Sequence, residues 1–101
     1  MYKKAYIINF DKGGVLDTFD YKMFHNTLTT AKGLISWWHY LECTYIIIVD
    51  QSINSQGISQ FIRQIAPKKR FLVSELNLKD HDGWLSKEAW DWINKFSEQL
   101  K

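Results

Sequence analysis

The chain has 101 residues, enough for one domain with a single hydrophobic core. Its 13 basic and 11 acidic side chains leave a formal net charge of +2, which excludes a protein that wraps long duplex DNA by charge alone. A lone cysteine, Cys43, rules out an intramolecular disulfide and a cysteine-based zinc finger. No apolar run approaches the roughly 20 residues of a membrane span, and the first residues do not resemble a signal peptide. We therefore expect a cytoplasmic protein.

The chain opens with a predicted strand and a predicted helix. Residues 5–10 are β-branched and aromatic and stop at Asp11, which predicts a short strand and then a glycine loop at Gly13 and Gly14. Helical spacing next predicts one buried stripe: Tyr21, Phe24, Leu28 and Ala31. The predicted solvent side consists of Lys22, His25, Asn26 and Thr29. Candidate caps are Asp17, Thr18 and Asp20 at the start and Gly33 at the end.

Two strands are predicted in the middle of the chain, over residues 35–43 and 44–49, with a reversal near residues 42–45. Alternation divides the first of them into two faces. One face carries Ile35, Trp37, His39, Leu41 and Cys43, and the other carries Ser36, Trp38, Tyr40 and Glu42. We assign Trp37 to the core, so Trp38 and Tyr40 are expected on the open side of the sheet.

The second half predicts a helix, a strand and a terminal helix. Residues 58–65 have the cleanest helical period, with Ser55 as candidate cap and Pro67 as the stop. A basic turn at residues 68–70 leads into a strand over residues 71–76 and a polar loop over residues 77–83. Ser86 is expected to cap the last helix, whose apolar stripe is Leu85, Ala89, Trp92, Ile93, Phe96 and Leu100. The tryptophans expected to dock that helix are Trp84, Trp90 and Trp92.

This order is β-α-β-β-α-β with an added helix, which predicts an α+β, ferredoxin-like domain: an antiparallel four-stranded sheet with both helices of the repeat on one face. We expect a single domain over residues 1–101, with residues 84–101 as the appended helix. The other sheet face needs a cover, and a partner protein, a second copy or the terminal helix can supply it.

The opening strand that ends in aspartate, I-I-N-F-D, together with the helix and the paired middle strands, resembles the CRISPR-associated Cas-two proteins and their VapD relatives. The segment W-W-H-Y-L-E-C at residues 37–43 is similar to the W-W-H-Y-L-E-S motif of small bacterial and phage proteins labelled SinR-family. The chain shows no helix-turn-helix that would fit that label. The resemblance raises the expectation of a role in a phage or in bacterial defence.

The resemblance implies a homodimer built on the sheet. It also implies that Asp11 of each copy holds Mg²⁺ or Mn²⁺ for phosphodiester hydrolysis, a chemistry that suits carboxylate ligands. The sequence departs from that pattern because no second carboxylate can be placed firmly beside Asp11. Glu42 and Asp50 are candidates from strand geometry alone. Without a metal, Asp11 would simply cap the glycine loop.

The candidate ligand-binding residues are aromatic and basic. Trp38 and Tyr40 are candidates to stack bases, because ferredoxin-like sheets often bind nucleotides through aromatic rings. Filling a dimer interface is the alternative role for these rings. His39 is expected to be hydrogen-bonded and partly buried. The candidates for phosphate contacts are Lys12, Lys69 and Arg70, for which a solvated turn is the alternative.

Three functions stay open at this stage. The favoured one is a non-catalytic homodimeric binder of a nucleotide, such as a cyclic nucleotide signal, or of a short oligonucleotide. The second is a Mg²⁺- or Mn²⁺-dependent nuclease or phosphodiesterase centred on Asp11. The third is a toxin–antitoxin or other protein-interaction module. The binder is favoured because stacking aromatics are abundant in this chain, whereas only one candidate catalytic group can be placed.

Overall fold

The structure is a computed structural model that describes residues 3–13 and 17–98. Its helices and strands follow the predicted order: β1 (Lys3–Phe10), α1 (Tyr21–Thr29), β2 (Leu34–Leu41), β3 (Thr44–Asp50), α2 (Ser55–Ile65), β4 (Phe71–Leu76) and α3 (Lys87–Ser97). Gly14 and Leu100, expected in a loop and in a helix stripe, lie outside the described residues. None of the helices in the described part is long and apolar enough to cross a membrane.

The four strands form one antiparallel sheet in the order β2-β3-β1-β4. The central strands β1 and β3 are rich in β-branched residues, which suit a pleated, buried surface. The two outer strands belong to different βαβ units, so each crossover passes over a neighbouring strand. This arrangement confirms the predicted ferredoxin-like architecture with an added C-terminal helix.

Both faces of the sheet are covered, which makes the molecule a three-layer structure. Helices α1 and α2 pack on one face, where Ile8, Ile47 and Ile62 are almost fully buried. Helix α3 packs on the other face over Ile46 and Ile48. The appended helix is therefore the cover that the second face requires within a single chain.

The helix ends show which candidate caps are used. Asp20 caps α1 and Ser86 caps α3, as expected, by accepting hydrogen bonds from backbone N–H groups three residues ahead. Asn54, rather than Ser55, caps α2. Gly33 does not end α1, since the helix stops at Thr29; its φ of +92° instead serves the turn before β2.

The expectation for the adjacent tryptophans is wrong about which of the two is buried. Trp38 does lie on the face opposite α1 and α2, but it is 2% exposed, because α3 covers it. Its indole Nε1–H donates to the Ala89 carbonyl at 3.2 Å. Trp37, which we assigned to the core, is 40% exposed, because β2 is an edge strand. Its ring meets the His25 ring of α1 edge-on at 4.9 Å.

The tryptophans near the C-terminus divide in the same way. Trp90 and Trp92 are half-buried against the second core, and the Trp92 Nε1–H donates to Ser36 Oγ at 2.9 Å. Both therefore dock α3, as expected. Trp84 does not, because it is 99% exposed in the loop that precedes the helix.

Candidate functional site

The predicted site residues separate into two groups in space. Lys12 and His39 line one cavity at the end of the sheet where β1 ends and the β2–β3 turn begins. Asp11, Lys69 and Arg70 line a neighbouring groove on the other side of that strand end. Asp11 and Lys12 follow one another directly after the end of β1, yet their side chains line different grooves.

Trp38 and Tyr40 do not join either group. Both lie on the α3 side of the sheet, where their rings meet edge-on at 5.5 Å. Burial beneath α3 leaves the indole of Trp38 no face for a base, whereas Tyr40 is half exposed at the rim of that layer. The structure thus corrects the expectation that the two rings form an open stacking platform.

Asp11 is held by Arg70, the residue that precedes β4. The guanidinium donates from Nε at 3.0 Å and from Nη2 at 2.5 Å to the same oxygen, Asp11 Oδ2. The Asp11 backbone N–H also donates to the Arg70 carbonyl at 2.9 Å. Because both side chains face solvent, this ion pair positions the two groups but adds little to stability.

Lys69, expected to meet a phosphate, is instead part of the fold. Its ammonium donates to the Tyr21 hydroxyl at 2.6 Å, and that hydroxyl donates to Asp17 Oδ2 at 2.5 Å. The ammonium also lies 4.9 Å from the centre of the Phe19 ring. Burial lowers the pKa of Lys69, but the hydrogen bonds with Tyr21 and Asp17 outweigh it, so the pKa is raised overall.

The two carboxylates that this groove offers to a metal ion are already paired with cations. Asp17 lines the same groove as Asp11, so Asp17 supplies the second carboxylate that the sequence did not reveal. Each carboxylate is already engaged by a cation, however, and no three His, Cys, Asp or Glu side chains cluster for a metal within residues 3–13 and 17–98. The other two candidates lie elsewhere: Glu42 pairs with Lys12, and Asp50 accepts hydrogen bonds from Ser52.

The stability of the protein should depend on Asp17 in acid. The hydrogen bond from Tyr21, and then those from the Phe19 backbone and Lys69, lower the pKa of Asp17 from 3.8 to about 2. The unfolded chain therefore binds the proton more tightly, so this contribution to the free energy of unfolding, present above pH 3.8, is lost as the pH falls towards about 2.

We expect Asp17→Asn to lower the free energy of unfolding at neutral pH and to flatten its decline in acid. Urea unfolding from neutral pH down to about pH 2 measures both effects. The exposed Asp80→Asn variant is the matched control and should follow the wild-type curve. A constant difference between Asp17→Asn and the wild type across the whole range would contradict this linkage.

The cavity at the end of the sheet, called here the histidine pocket, has a volume of about 400 Å³. His39 of β2 stacks flat on Tyr45 of β3, with ring centres 3.9 Å apart and an interplanar angle of 2°. His25 of α1 approaches the same tyrosine, and its Nδ1 lies 2.6 Å from the phenol oxygen. The two imidazole rings are 5.9 Å apart.

An aromatic floor supports these imidazoles. Phe10 and Phe24 pack on Tyr45, with ring centres 6.1 and 6.0 Å from it. Tyr45 itself is 2% exposed, and burial raises its pKa to about 12. The phenol therefore keeps its proton at every physiological pH.

Charged side chains stand at the mouth of the histidine pocket. Lys12 forms an ion pair with Glu42 from the β2–β3 turn, and this hydrogen bond raises the pKa of Lys12. Lys22, in the first turn of α1, lines the same mouth and is exposed. Cys43 is half-buried in the wall. The pocket thus joins an apolar aromatic interior to a charged opening.

Sequence reasoning missed His25 and Tyr45. His25 was expected to face solvent, yet it is half-buried and contacts Tyr45, His39 and Trp37. A signal was present, because Tyr21, Phe24, His25 and Leu28 together have the spacing i, i+3, i+4, i+7 of a buried helix face. The pairing with His39 was hidden, because only the crossover from α1 to β2 brings the two imidazoles together.

Comparison of the chain with protein-family models, with curated proteins and with solved structures finds no match.

Proposed function

We propose that this chain is a small homodimeric protein that binds a nucleotide or a short single-stranded nucleic acid in the histidine pocket. The observation that carries this proposal is the combination, within one cavity, of an aromatic interior with lysine ammonium groups at the mouth. Because Phe10, Phe24 and Tyr45 are themselves buried, a base would stack on the half-buried imidazoles of His25 and His39. Phosphates attract lysine. A cavity of about 400 Å³ is also within the size range of small-ligand sites.

The mouth of the histidine pocket carries two lysines and one glutamate, and the glutamate weakens phosphate binding less than its charge implies. Glu42 opposes an incoming anion, but its ion pair with Lys12 is exposed and so is held weakly. Lys12 can therefore exchange the carboxylate for a phosphate at little cost. Lys22 has no acidic partner among the residues that the structure describes, and it needs no such exchange.

The neighbouring groove offers a path for more than one nucleotide. Lys68 is exposed there, and so is Arg70, although its guanidinium pairs with Asp11, whereas Lys69 is occupied by Tyr21 and Asp17. A single strand that leaves the histidine pocket past Lys12 crosses the end of β1 and meets these two cations. Of the predicted phosphate contacts, we therefore keep Lys12 and Arg70 and assign Lys69 to the fold.

We expect the protein to bind a fluorescein-labelled, twelve-nucleotide single-stranded DNA in a fluorescence anisotropy titration at low salt. Lys22→Glu should weaken binding about tenfold, or about 1.4 kcal/mol, and should reduce the slope of log affinity against log salt by about 0.7. These effects follow from the loss of one phosphate contact at the mouth of the pocket.

Lys95→Glu is the matched control, because it changes the net charge equally but lies on α3, across the sheet from the pocket. Its affinity should equal that of the wild type at each salt concentration. Equal losses from Lys22→Glu and Lys95→Glu would show that only overall charge matters. Absence of binding by the wild type would reject the proposal.

The proposed homodimer uses the edge of β2. The α3 layer already occupies the sheet face that the family resemblance would use for a partner. The free edge of β2 carries the most concentrated exposed apolar surface of the described residues, with Ile35, Trp37, Tyr40 and Leu41 each 40–50% exposed. The strand contains no charged residue, whereas exposed edges are normally protected by charge. A second copy placed about a twofold axis would bury this edge without like-charge repulsion.

A metal-dependent nuclease centred on Asp11 is the alternative function, and it needs a second copy to complete the ligand set. It predicts that Mg²⁺ or Mn²⁺ promotes cleavage of a nucleic acid and that Asp11→Asn removes this activity. A protein-interaction module is the third reading, and the β2 edge would be its surface.

A further inference from the structure

We propose that the histidine pocket cleaves RNA without a metal ion, with His39 as the general base and His25 as the general acid. This inference rests on the proposed nucleic-acid binding and adds a reaction and a substrate class to it. Its basis is the convergence of two imidazoles from different elements, 5.9 Å apart, in a cavity with lysines at its mouth. Imidazole is the side chain best suited to move protons near neutral pH.

His39 is oriented as a base. Its Nδ1 lies 2.9 Å from the Thr44 carbonyl oxygen, which can only accept a hydrogen bond, so Nδ1 carries the proton. The neutral ring therefore presents an unprotonated Nε2 as its acceptor. Stacking on Tyr45 at 3.9 Å fixes the ring plane. A backbone carbonyl and an aromatic neighbour thus supply the orienting partners that a catalytic imidazole requires.

His25 can hold its orientation in both protonation states. Its Nδ1 is 2.6 Å from the phenol oxygen of Tyr45, and burial keeps that phenol protonated. A phenol donates as well as accepts, so it can accept from the imidazolium and donate to the neutral ring. His25 can therefore release a proton and regain it without losing its place.

The two imidazoles are spaced to serve two oxygens of one phosphodiester. Each catalytic nitrogen needs to come within about 3 Å of its own oxygen, and rings 5.9 Å apart can reach opposite sides of one phosphorus. The Lys12 and Lys22 ammonium groups at the mouth would stabilise the extra negative charge on the non-bridging oxygens of the transition state.

The step balances without a co-reactant. His39 Nε2 removes the proton of the ribose 2′-hydroxyl, and the 2′-oxygen forms a bond to phosphorus. The bond from phosphorus to the 5′-oxygen of the next nucleotide breaks, and the His25 imidazolium protonates that oxygen. The products are a 2′,3′-cyclic phosphate and a free 5′-hydroxyl. His39 then returns its proton to water and His25 takes one up, which restores the pocket.

The substrate class follows from the nucleophile. RNA carries its own attacking hydroxyl beside the phosphate, so the pocket needs only to move protons and stabilise charge. DNA lacks that hydroxyl and would bind without reacting. The 2′-hydroxyl is thus the feature by which this pocket distinguishes the two nucleic acids.

The test uses the full chain with a 5′-fluorescein-labelled, twelve-nucleotide RNA in the presence of EDTA. We expect cleavage to fragments that end in a cyclic phosphate, identified by their mass. The same sequence as DNA, and as RNA with 2′-O-methyl groups, should bind by anisotropy and remain intact. Cleavage that requires added Mg²⁺ or Mn²⁺ would overturn the proposal in favour of the nuclease centred on Asp11.

Three histidine variants and one tyrosine variant make the assignment specific. His39→Ala and His25→Ala should each slow cleavage at least 100-fold, far more than either weakens the binding of DNA measured by anisotropy. His81→Ala, in the exposed loop before α3, is the matched control and should cleave at the wild-type rate. Tyr45→Phe keeps the ring beneath His39 but removes the hydroxyl beside His25, so it should lower kcat and leave KM unchanged.

The outcomes distinguish this inference from the function on which it rests. Binding of RNA and DNA without cleavage overturns the reaction and leaves the binder. Absence of binding overturns both. Cleavage that survives in His25→Ala and His39→Ala, purified in parallel, places the activity outside the pocket. If an alanine variant melts far below the wild type, the near-isosteric His25→Gln and His39→Gln variants replace it, and a wild-type rate in either one rejects the role of that histidine.

Discussion

Replacement of Trp38 by alanine should lower the free energy of unfolding by about 3–5 kcal/mol, the usual cost of deleting a large buried aromatic side chain. The indole is 2% exposed and lies between the sheet and α3, so its removal leaves a cavity. It also removes the donor to the Ala89 carbonyl. The free energy of unfolding of natural domains is only about 5–15 kcal/mol, so this single substitution should remove a large share of it.

Trp37→Ala is the control for that experiment, because it deletes the same side chain one residue earlier. Trp37 is 40% exposed and has an edge-on contact with His25, so we expect a loss of only about 1 kcal/mol. Urea unfolding of both variants, at a concentration where their oligomeric state matches, provides the comparison. Equal losses, or the larger loss at Trp37, would contradict the placement of α3 over Trp38.

The tryptophan pair shows how far periodicity can take a prediction. Alternation correctly placed Trp37 and Trp38 on opposite faces of β2. Helical spacing predicted the helices, and the order of the elements predicted the antiparallel sheet. It could not show which face of an edge strand is covered better. That depends on where α3 docks, and the docking is fixed by contacts such as the hydrogen bond from Trp38 to Ala89, 51 residues away.

Only part of the candidate site could be predicted, because local sequence patterns do not show contacts between distant residues. Lys12 and His39 were both selected from the sequence, and the structure brings them to one pocket. Their neighbours His25 and Tyr45 carry no motif, because their contacts depend on the crossover that lays α1 over the sheet. Lys69 was selected for its charge in a basic turn, and its engagement with Asp17, 52 residues away, is likewise invisible to local patterns.

The shape of the site is compatible with both of the roles that we propose for it, binding and catalysis. Tyr45 lies under one imidazole and against the other, so a single buried side chain fixes both. This arrangement places a polar hydroxyl in the interior, and the hydrogen bond with His25 satisfies it. Binding would need only the rings and the lysines. The fixed orientation of the two imidazoles is the observation that supports a catalytic role.

Placing a charge at the edge of β2 should dissociate the proposed homodimer. Ile35→Lys introduces one ammonium per copy, and the twofold axis would bring the two into the same uncharged interface. We expect the dimer dissociation constant to rise at least 100-fold, or about 2.8 kcal/mol. Analytical ultracentrifugation over a range of concentrations measures this constant for wild type and variant.

Leu72→Lys provides the matched control on the opposite edge of the sheet. Leu72 is 65% exposed on β4, so the same charge is added to an apolar edge residue without touching β2. Its dimer should be as tight as that of the wild type. Dissociation by Leu72→Lys instead of Ile35→Lys would move the interface to β4. A wild-type chain that stays monomeric at every concentration would leave the exposed β2 edge to a different protein partner.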